Sequence, residues 1–264
     1  MKSAGRALVT GASSGIGAAF AARLARQGHD LVLVARNRVR LAAQAKRLQR
    51  QARVAVEVLA ADLTVAADLQ RVTDHVAADR RLTLLVNNAG FGTAGAFAEL
   101  DAAREEEEIR LNVLALVRLT RAALPGMIAR RRGAIVNVSS MAGFQPGPYT
   151  ATYNATKAFV NAFTEALHEE LRGSGVRVQA LCPGFTRTEF QRLAGIDTSQ
   201  IPSFVWMTAD QVAAASLAAL DAGEVICVPG FANRILLTLA GLVPQRISRR
   251  VGGVLARRVL VSGE

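Results

Sequence analysis

The sequence predicts a single α/β domain whose sheet is mainly parallel and covered by helices on both faces. Three observations carry this reading. Short apolar runs of strand length alternate with helical patterns along the chain. The first run enters a glycine-rich turn that opens a helix, and 264 residues give one such domain an ample core.

Arg6-Ala-Leu-Val-Thr10 reads as a short buried strand. It runs into Thr10-Gly11-Ala12-Ser13-Ser14-Gly15-Ile16-Gly17 and then an Ala- and Leu-rich helix to about Gln27. A strand, a glycine turn and a helix start make a phosphate site, because glycines admit a ligand close to the backbone and the helix offers unpaired N–H groups. The glycine spacing differs from G-x-G-x-x-G, and such a turn by itself also serves to pack a helix on a strand. Further strand-like runs follow at Leu31–Ala35, Val54–Leu59, Leu82–Asn87, Ala134–Val138, Val176–Cys182 and Val225–Val228, with helical patterns between. No internal repeat, low-complexity tract or long linker interrupts them.

The first strand begins within six residues of Met1, which is read as leaving no room for a signal peptide. No apolar run is expected to reach the roughly 18–20 residues of a membrane span. Cys182 and Cys227 each fall in a predicted core strand, which suits free thiols in a reducing cytoplasm better than a disulfide. The three histidines are scattered and no Cys/His cluster has metal spacing, so no metal is expected.

Tyr153 and Lys157 stand four residues apart in a chain with two tyrosines and three lysines. On a helix such a pair shares one face. A free tyrosine hydroxyl titrates near about 10. A fixed ammonium beside it stabilises the phenolate and makes the hydroxyl a usable proton donor or acceptor. The spacing alone also describes an ordinary solvated helix face.

Together, Thr10-Gly11-x-x-x-Gly15-x-Gly17, Asn87-Asn88-Ala89-Gly90 and Tyr153-x-x-x-Lys157 form an ordered set. Over about residues 5 to 230 the chain resembles the short-chain dehydrogenases/reductases in their compact single-domain form. The resemblance implies a Rossmann-like, doubly wound domain with a seven-stranded parallel sheet of order 3-2-1-4-5-6-7. That domain would occupy residues 1–230, with a substrate lid at about 185–207 and an extension at 231–264.

The cofactor follows in part from the second strand. Nicotinamide-binding folds of this kind place an acid at its end to meet the adenosine ribose, which favours NAD. Here Leu31-Val-Leu-Val-Ala35 ends without a carboxylate and Arg36 follows, with Arg40 one turn on. A guanidinium bond to a 2′-phosphate contributes roughly 1.5–3 kcal/mol, or about ten- to a hundredfold in affinity. NADP(H) is therefore favoured over NAD(H); a solvated basic helix start continuing through Arg38, Lys46, Arg47 and Arg50 is the plainer alternative. The resemblance assigns Gly11, Ser13, Ser14, Gly15, Ile16 and Gly17 to the phosphates, Asp62 and Leu63 to the adenine, and Asn88, Ala89 and Gly90 to the ribose. It assigns Pro183, Gly184, Thr186 and Thr188 to the nicotinamide end, where Tyr153 and Lys157 also touch the cofactor. Asn87 is expected to pin the central strands.

The family's Asn-Ser-Tyr-Lys set is implied at Asn112, Ser140, Tyr153 and Lys157. Tyr153 would be the acid in reduction and the base in oxidation. Lys157 would depress its pKa and bind the nicotinamide ribose. Ser140, thirteen residues before the tyrosine, would polarise the substrate oxygen. Its neighbour Ser139 should face the other way, because strand side chains alternate. Asn112, in the helical stretch Ile109–Leu119, would hold a water that relays protons to Lys157, with a polar packing contact as the alternative. Tyr149 lies about two helical turns from Lys157, too far to replace Tyr153.

The lid segment Phe185–Met207 carries Phe190, Leu193, Ile196, Ile201, Phe204, Val205 and Trp206, which points to a hydrophobic substrate; tucking the lid onto the core is the alternative. Beyond it, Phe231–Val243 is very apolar, Pro244 breaks the run, and Gln245–Val261 reads as a basic amphipathic helix. That helix suits peripheral contact with an anionic membrane, closure over the pocket, or packing on another subunit of a homodimer or homotetramer, the last being preferred. The tail also resembles those of bacterial members grouped with long-chain ketoacyl and hydroxysteroid reductases. The net charge of +11, with 29 arginines among 32 basic residues, suits NADPH, an acyl thioester such as acyl-CoA, or an acidic acyl carrier protein. Nucleic acid is not expected, since the basic residues are spread over several helices with few aromatics for stacking. Glu105–Glu108 is read as a solvated patch opening a helix.

The sequence therefore points to an NADPH-dependent reductase of a hydrophobic ketone or 3-oxoacyl compound. An NAD(P)-dependent dehydrogenase of a sterol-like secondary alcohol is the enzymatic alternative. A non-catalytic NADPH-sensing protein is the alternative of another class.

Overall fold

The computed structural model describes residues 4–194 and 202–242. Its frame is built from the apolar runs: β1 (Arg6–Thr10), β2 (Asp30–Ala35), β3 (Val56–Ala60), β4 (Leu82–Asn87), β5 (Gly133–Val138) and β6 (Val176–Leu181). In β1 the inner residues are all buried, yet alternate residues go to different layers. Ala7 and Val9 pack with Phe20 and Leu24 of α1 (Gly15–Arg26), Leu41 and Leu48 of α2 (Arg38–Ala52), and Val212 and Leu217 farther along the chain. Leu8 packs with Leu69 and Val72 of α3 (Ala66–Ala78) and with Leu119, Met127 and Leu167 beyond it. A strand buried on both sides loses polar alternation and reads as a continuous apolar run, which is why these strands were easy to find.

Between β4 and β5, α4 (Ala102–Ile109) passes through a π-helical stretch, Arg110–Ala115, into α5 (Leu116–Ala129). The whole is one 28-residue helix, long and apolar enough by length and composition to cross a membrane. This corrects the expectation that no run reaches that length. In the fold α5 lays Leu116, Leu119, Ala123 and Met127 into the core. Helix α6 (Ala151–Glu170) packs beside it and carries Tyr153 and Lys157.

After β6 the lid segment is not a plain loop. β7 (Thr186–Arg187) pairs with β8 (Met207–Thr208) as a small ribbon, with α7 (Phe190–Leu193) between them in sequence. Thr208 then starts α8 (Ala209–Asp221) with a capping box to Gln211. The chain returns to the main sheet as β9 (Ile226–Cys227) and ends its described part in α9 (Phe231–Leu242).

The main sheet is wholly parallel, in the order β3-β2-β1-β4-β5-β6-β9. The expected order holds, its seventh place being filled by β9 because β7 and β8 form their own ribbon. Cys182 donates its N–H to the Cys227 carbonyl, 2.8 Å away, extending the β6–β9 pairing, and both thiols are free and buried. All strands point one way, so the segments after β1, β4, β5 and β6 gather at one edge. Ile196 and Ile201 of the lid, and the basic amphipathic stretch Gln245–Val261, lie outside the described residues.

Candidate active site

The turn after β1 is held from the turn after β4. The Thr10 hydroxyl accepts the N–H groups of Asn88 and Ala89, each at 2.9 Å, and Asn88 Nδ2 donates to the Thr10 carbonyl at 2.8 Å. Gly11 has φ +63°, and a Cβ on Gly17 would lie 2.4 Å from the Gly11 carbonyl oxygen. Side chains are thus excluded there, while no side chain caps the start of α1 at Ser14. What results is a backbone cradle at a helix N-terminus, formed by Gly11, Ser13, Ser14, Gly15, Ile16 and Gly17. Thr188 Cγ2 lies against Gly15, so the start of the lid reaches this cradle. The Asn88 amide nitrogen is engaged by the turn itself, donating to the Thr10 and Gly11 carbonyls. Asn87, as expected, braces the strands, donating to Asn137 at 2.9 Å and Thr120 at 3.0 Å.

At the end of β2, the exposed Arg36 guanidinium lies 3.9 Å from an Asp62 carboxylate oxygen, and the other Asp62 oxygen accepts the Thr64 N–H and hydroxyl. Leu63 is buried in the core. Arg40 pairs with Glu189 of the lid segment at 3.0 Å. Neither pairing was legible from the sequence.

Beyond β5 the chain turns two serines in opposite directions. Ser139 is buried and donates to the Lys157 carbonyl at 3.0 Å, fixing α6. Ser140 faces the site beside Tyr153, whose hydroxyl pKa it lowers, and its own hydroxyl accepts the Ala142 N–H at 3.1 Å. Lys157 is 5% exposed; its ammonium donates to the Val138 carbonyl at 2.9 Å and stands 5.6 Å from the centre of the Tyr153 ring. Burial dominates both groups. It pushes the Tyr153 hydroxyl up to about 12, against the Ser140 hydrogen bond, and pulls Lys157 down to about 8. At Tyr153, desolvation of the phenolate outweighs the lowering by Ser140.

The comparisons with known proteins agree with this geometry. Residues 6–197 match the family model for short chain dehydrogenase. The chain belongs to the short-chain dehydrogenase family. A short-chain dehydrogenase from Sphingobium yanoikuyae solved with NADPH is 42% identical, with a TM-score of 0.82 over 91% of this chain and 97% of that one. The bulky-bulky ketone specific alcohol dehydrogenase from Comamonas testosteroni is 35% identical, with a TM-score of 0.78 over 91% and 95%. The very-long-chain 3-oxoacyl-CoA reductase of Bos taurus is 34% identical over 191 residues, which is 71% of this chain but only 61% of that protein's length. As a member of this family the protein is an oxidoreductase acting on CH–OH/C=O groups with a nicotinamide dinucleotide. Its residues fit that group: the cradle has no room for a Cβ where a pyrophosphate must come close, and the start of α1 is open.

Three surroundings of the short-chain dehydrogenase site differ from the sequence reading. Asn112 lies in the π stretch, where its amide donates to the Phe91 carbonyl (2.8 Å) and Thr156 hydroxyl (3.2 Å) and accepts the Phe91 N–H (3.2 Å). Its side chain thus grips the segment after β4 at Phe91 and α6 at Thr156. Tyr149 precedes α6 rather than lying on it, with φ +65° and its carbonyl bonded to Gly95. The glutamate run is only half solvated: Glu106 is exposed and Glu107 half-buried, whereas Glu105 and Glu108 are buried against Thr93. A run of four identical polar residues hides which two face inward; the spacing of three is the signal that would have found them.

The lid supplies aromatic contact. Phe190 packs on Tyr153 with ring centres 5.5 Å apart, and Phe185 on Trp206 at 5.5 Å. Leu193 and Phe204 remain exposed. Helix α9 closes the far side: Asn233 is buried against Gly184 and bonded to the Pro229 carbonyl, and Gln145 donates to the Ala240 carbonyl. In the turn itself, the Pro183 carbonyl accepts the Met141 N–H and the Thr186 hydroxyl donates to the Gly184 carbonyl.

Proposed function

We propose that this protein is an NADPH-dependent reductase of a hydrophobic ketone or 3-oxoacyl compound. The observation that carries the reading is the Ser140–Tyr153 hydroxyl pair with the buried Lys157 one turn further along α6. When bound, the nicotinamide supplies the hydride to the carbonyl carbon. Tyr153 gives its proton to the carbonyl oxygen as negative charge develops there, and Ser140 donates to that oxygen and orients it. A hydroxyl pushed up to about 12 keeps its proton at neutral pH, as an acid for reduction must. Lys157 holds positive charge beside the phenol and compensates the phenolate left by proton transfer. Asn112, bonded to Phe91 and Thr156, is assigned to hold a water that relays protons to Lys157.

Arg36 and Arg40 are assigned to the 2′-phosphate, Asp62 and Leu63 to the adenine end, and the segment from Asn88 to Gly90 to the ribose. Pro183, Gly184, Thr186 and Thr188 are assigned to the nicotinamide end. The aromatic lid around Tyr153 supports a hydrophobic substrate, as do the ketone and 3-oxoacyl-CoA specificities of the relatives. The test is NADPH oxidation with a panel of hydrophobic ketones and 3-oxoacyl thioesters. Tyr153→Phe is expected to abolish turnover while leaving NADPH binding intact. Faster NADH-linked oxidation of secondary alcohols, or undiminished turnover in the variant, counts against the scheme.

A further inference from the structure

A buried carboxyl pair lies behind the wall of this site, and the scheme above leaves it idle. Glu108 is 0% exposed and Glu105 9%. Both converge on Thr93, whose hydroxyl is 2.5 Å from Glu105 Oε1 and 2.7 Å from Glu108 Oε2, while its N–H donates to Glu108 Oε2 at 2.8 Å. The Thr152 hydroxyl, next to Tyr153 in sequence, donates to Glu105 Oε2. The two carboxyls thus share Thr93 as a common anchor. Two Thr93 donors reach Glu108, which favours the charge there, and its Oε1 is buried without a partner.

The same segment meets the catalytic groups on its other side. Gly92 lies against the Tyr153 ring, and Gly90 lies between the Asn112 amide and the Lys157 ammonium. Glu108 and Asn112, four residues apart, thus take successive grips on it, at Thr93 and at Phe91.

We propose that Glu108 is a positioning residue for the reduction, holding the 90–93 segment against Tyr153 and presenting a negative charge toward Lys157. Its carboxylate raises the pKa of both Lys157 and Tyr153, favouring the protonated forms that a proton donor and its counter-charge require. In return Lys157 draws Glu108 down, while burial, the larger effect, and Glu105 push it up. The other groups facing these sites are the Cys182 thiol at Lys157 and the Ser140 hydroxyl at Tyr153.

The inference rests on the reductase reading for its catalytic consequence, but its first test needs no substrate. With Lys2→Arg and Lys46→Arg, Lys157 becomes the only lysine, and ε-¹³C-lysine NMR follows its titration directly. Glu108→Gln keeps the length and an oxygen for the Thr93 N–H, so it removes charge from an intact segment. It should lower the Lys157 midpoint by about one pH unit. Glu105→Gln, which leaves the Glu108 carboxyl in place, should leave that midpoint where it is. In turnover, the alkaline limb of kcat/KM for reduction should move to lower pH in Glu108→Gln. Glu108→Ala, which also releases the segment, should lose about tenfold more in kcat than the Gln variant. An unchanged Lys157 midpoint in Glu108→Gln overturns the electrostatic role, and equal kcat in the Gln and Ala variants overturns the positioning role. A shifted midpoint in a protein that reduces no ketone would remove the reductase reading and leave the Glu108–Lys157 coupling standing.

Discussion

Lys157 is the residue where function and stability pull apart. Its ammonium is nearly sealed from water with one backbone carbonyl to bond, and desolvation pulls its pKa from 10.5 to about 8. Unfolded, the lysine keeps its proton to near 10.5; folded, it gives it up near 8. Between those limits the unfolded state binds more protons, so this residue's contribution makes stability rise with pH, and its full cost is present below about 8. Cys182 and Cys227, pushed up by burial to about 12 and about 11, act in the opposite direction above pH 9, so the effect must be isolated. Lys157→Met isolates it. The cofactor-free variant should be more stable than its parent at pH 7, by on the order of 3 kcal/mol. The gain should shrink toward zero as pH passes from about 8 to 10.5, as urea unfolding at a series of pH values would show. A constant difference would mean that Lys157 is not desolvated as the fold places it.

At the scale of elements, the lid and helix α2 share an ion pair that bears on the cofactor. Arg40, on the first turn of α2, is bonded to Glu189 just ahead of α7. A 2′-phosphate arriving at Arg36 and Arg40 must compete with that carboxylate. Glu189→Gln removes the competitor and should tighten NADPH binding about threefold, with NADH unaffected, since both side chains are partly exposed and such a pair is worth under about 1 kcal/mol. Fluorescence titration with each dinucleotide checks this, and an equal gain for both would assign the effect to the lid in general. No sequence pattern joins residues 40 and 189; only the edge shared by the ends of β2 and β6 brings them together. The same limit hid the inward half of the glutamate run, while the glycine turn and the Tyr153–Lys157 pair, being local in sequence, could be read directly. Asn112 came from the family resemblance, but its partners were not legible, because Phe91 and Thr156 come from two other segments.

At the scale of the molecule, the β/α alternation was legible because each strand is buried on both faces, and the sheet order came from the resemblance carried by local motifs. The short ribbon of β7 and β8 was not legible, since two-residue strands carry no periodicity. On the proposed reading, the dinucleotide joins the whole fold thermodynamically. The cradle after β1, the arginines after β2, the segment after β4 and the turn after β6 come from four parts of the chain that meet only in the native state. A ligand bound across them stabilises that state by mass action, by about 2.7 kcal/mol at one hundred times its Kd. For a chain of this size that is a rise of roughly 5–10 °C in Tm. NADPH should therefore raise Tm well above the shift given by NADH at equal concentration, and Arg36→Ala should erase most of that difference while keeping the smaller shift common to both. Equal shifts in the parent would show that Arg36 is only a solvated helix start. A difference that survives Arg36→Ala would move the 2′-phosphate contact to Arg40.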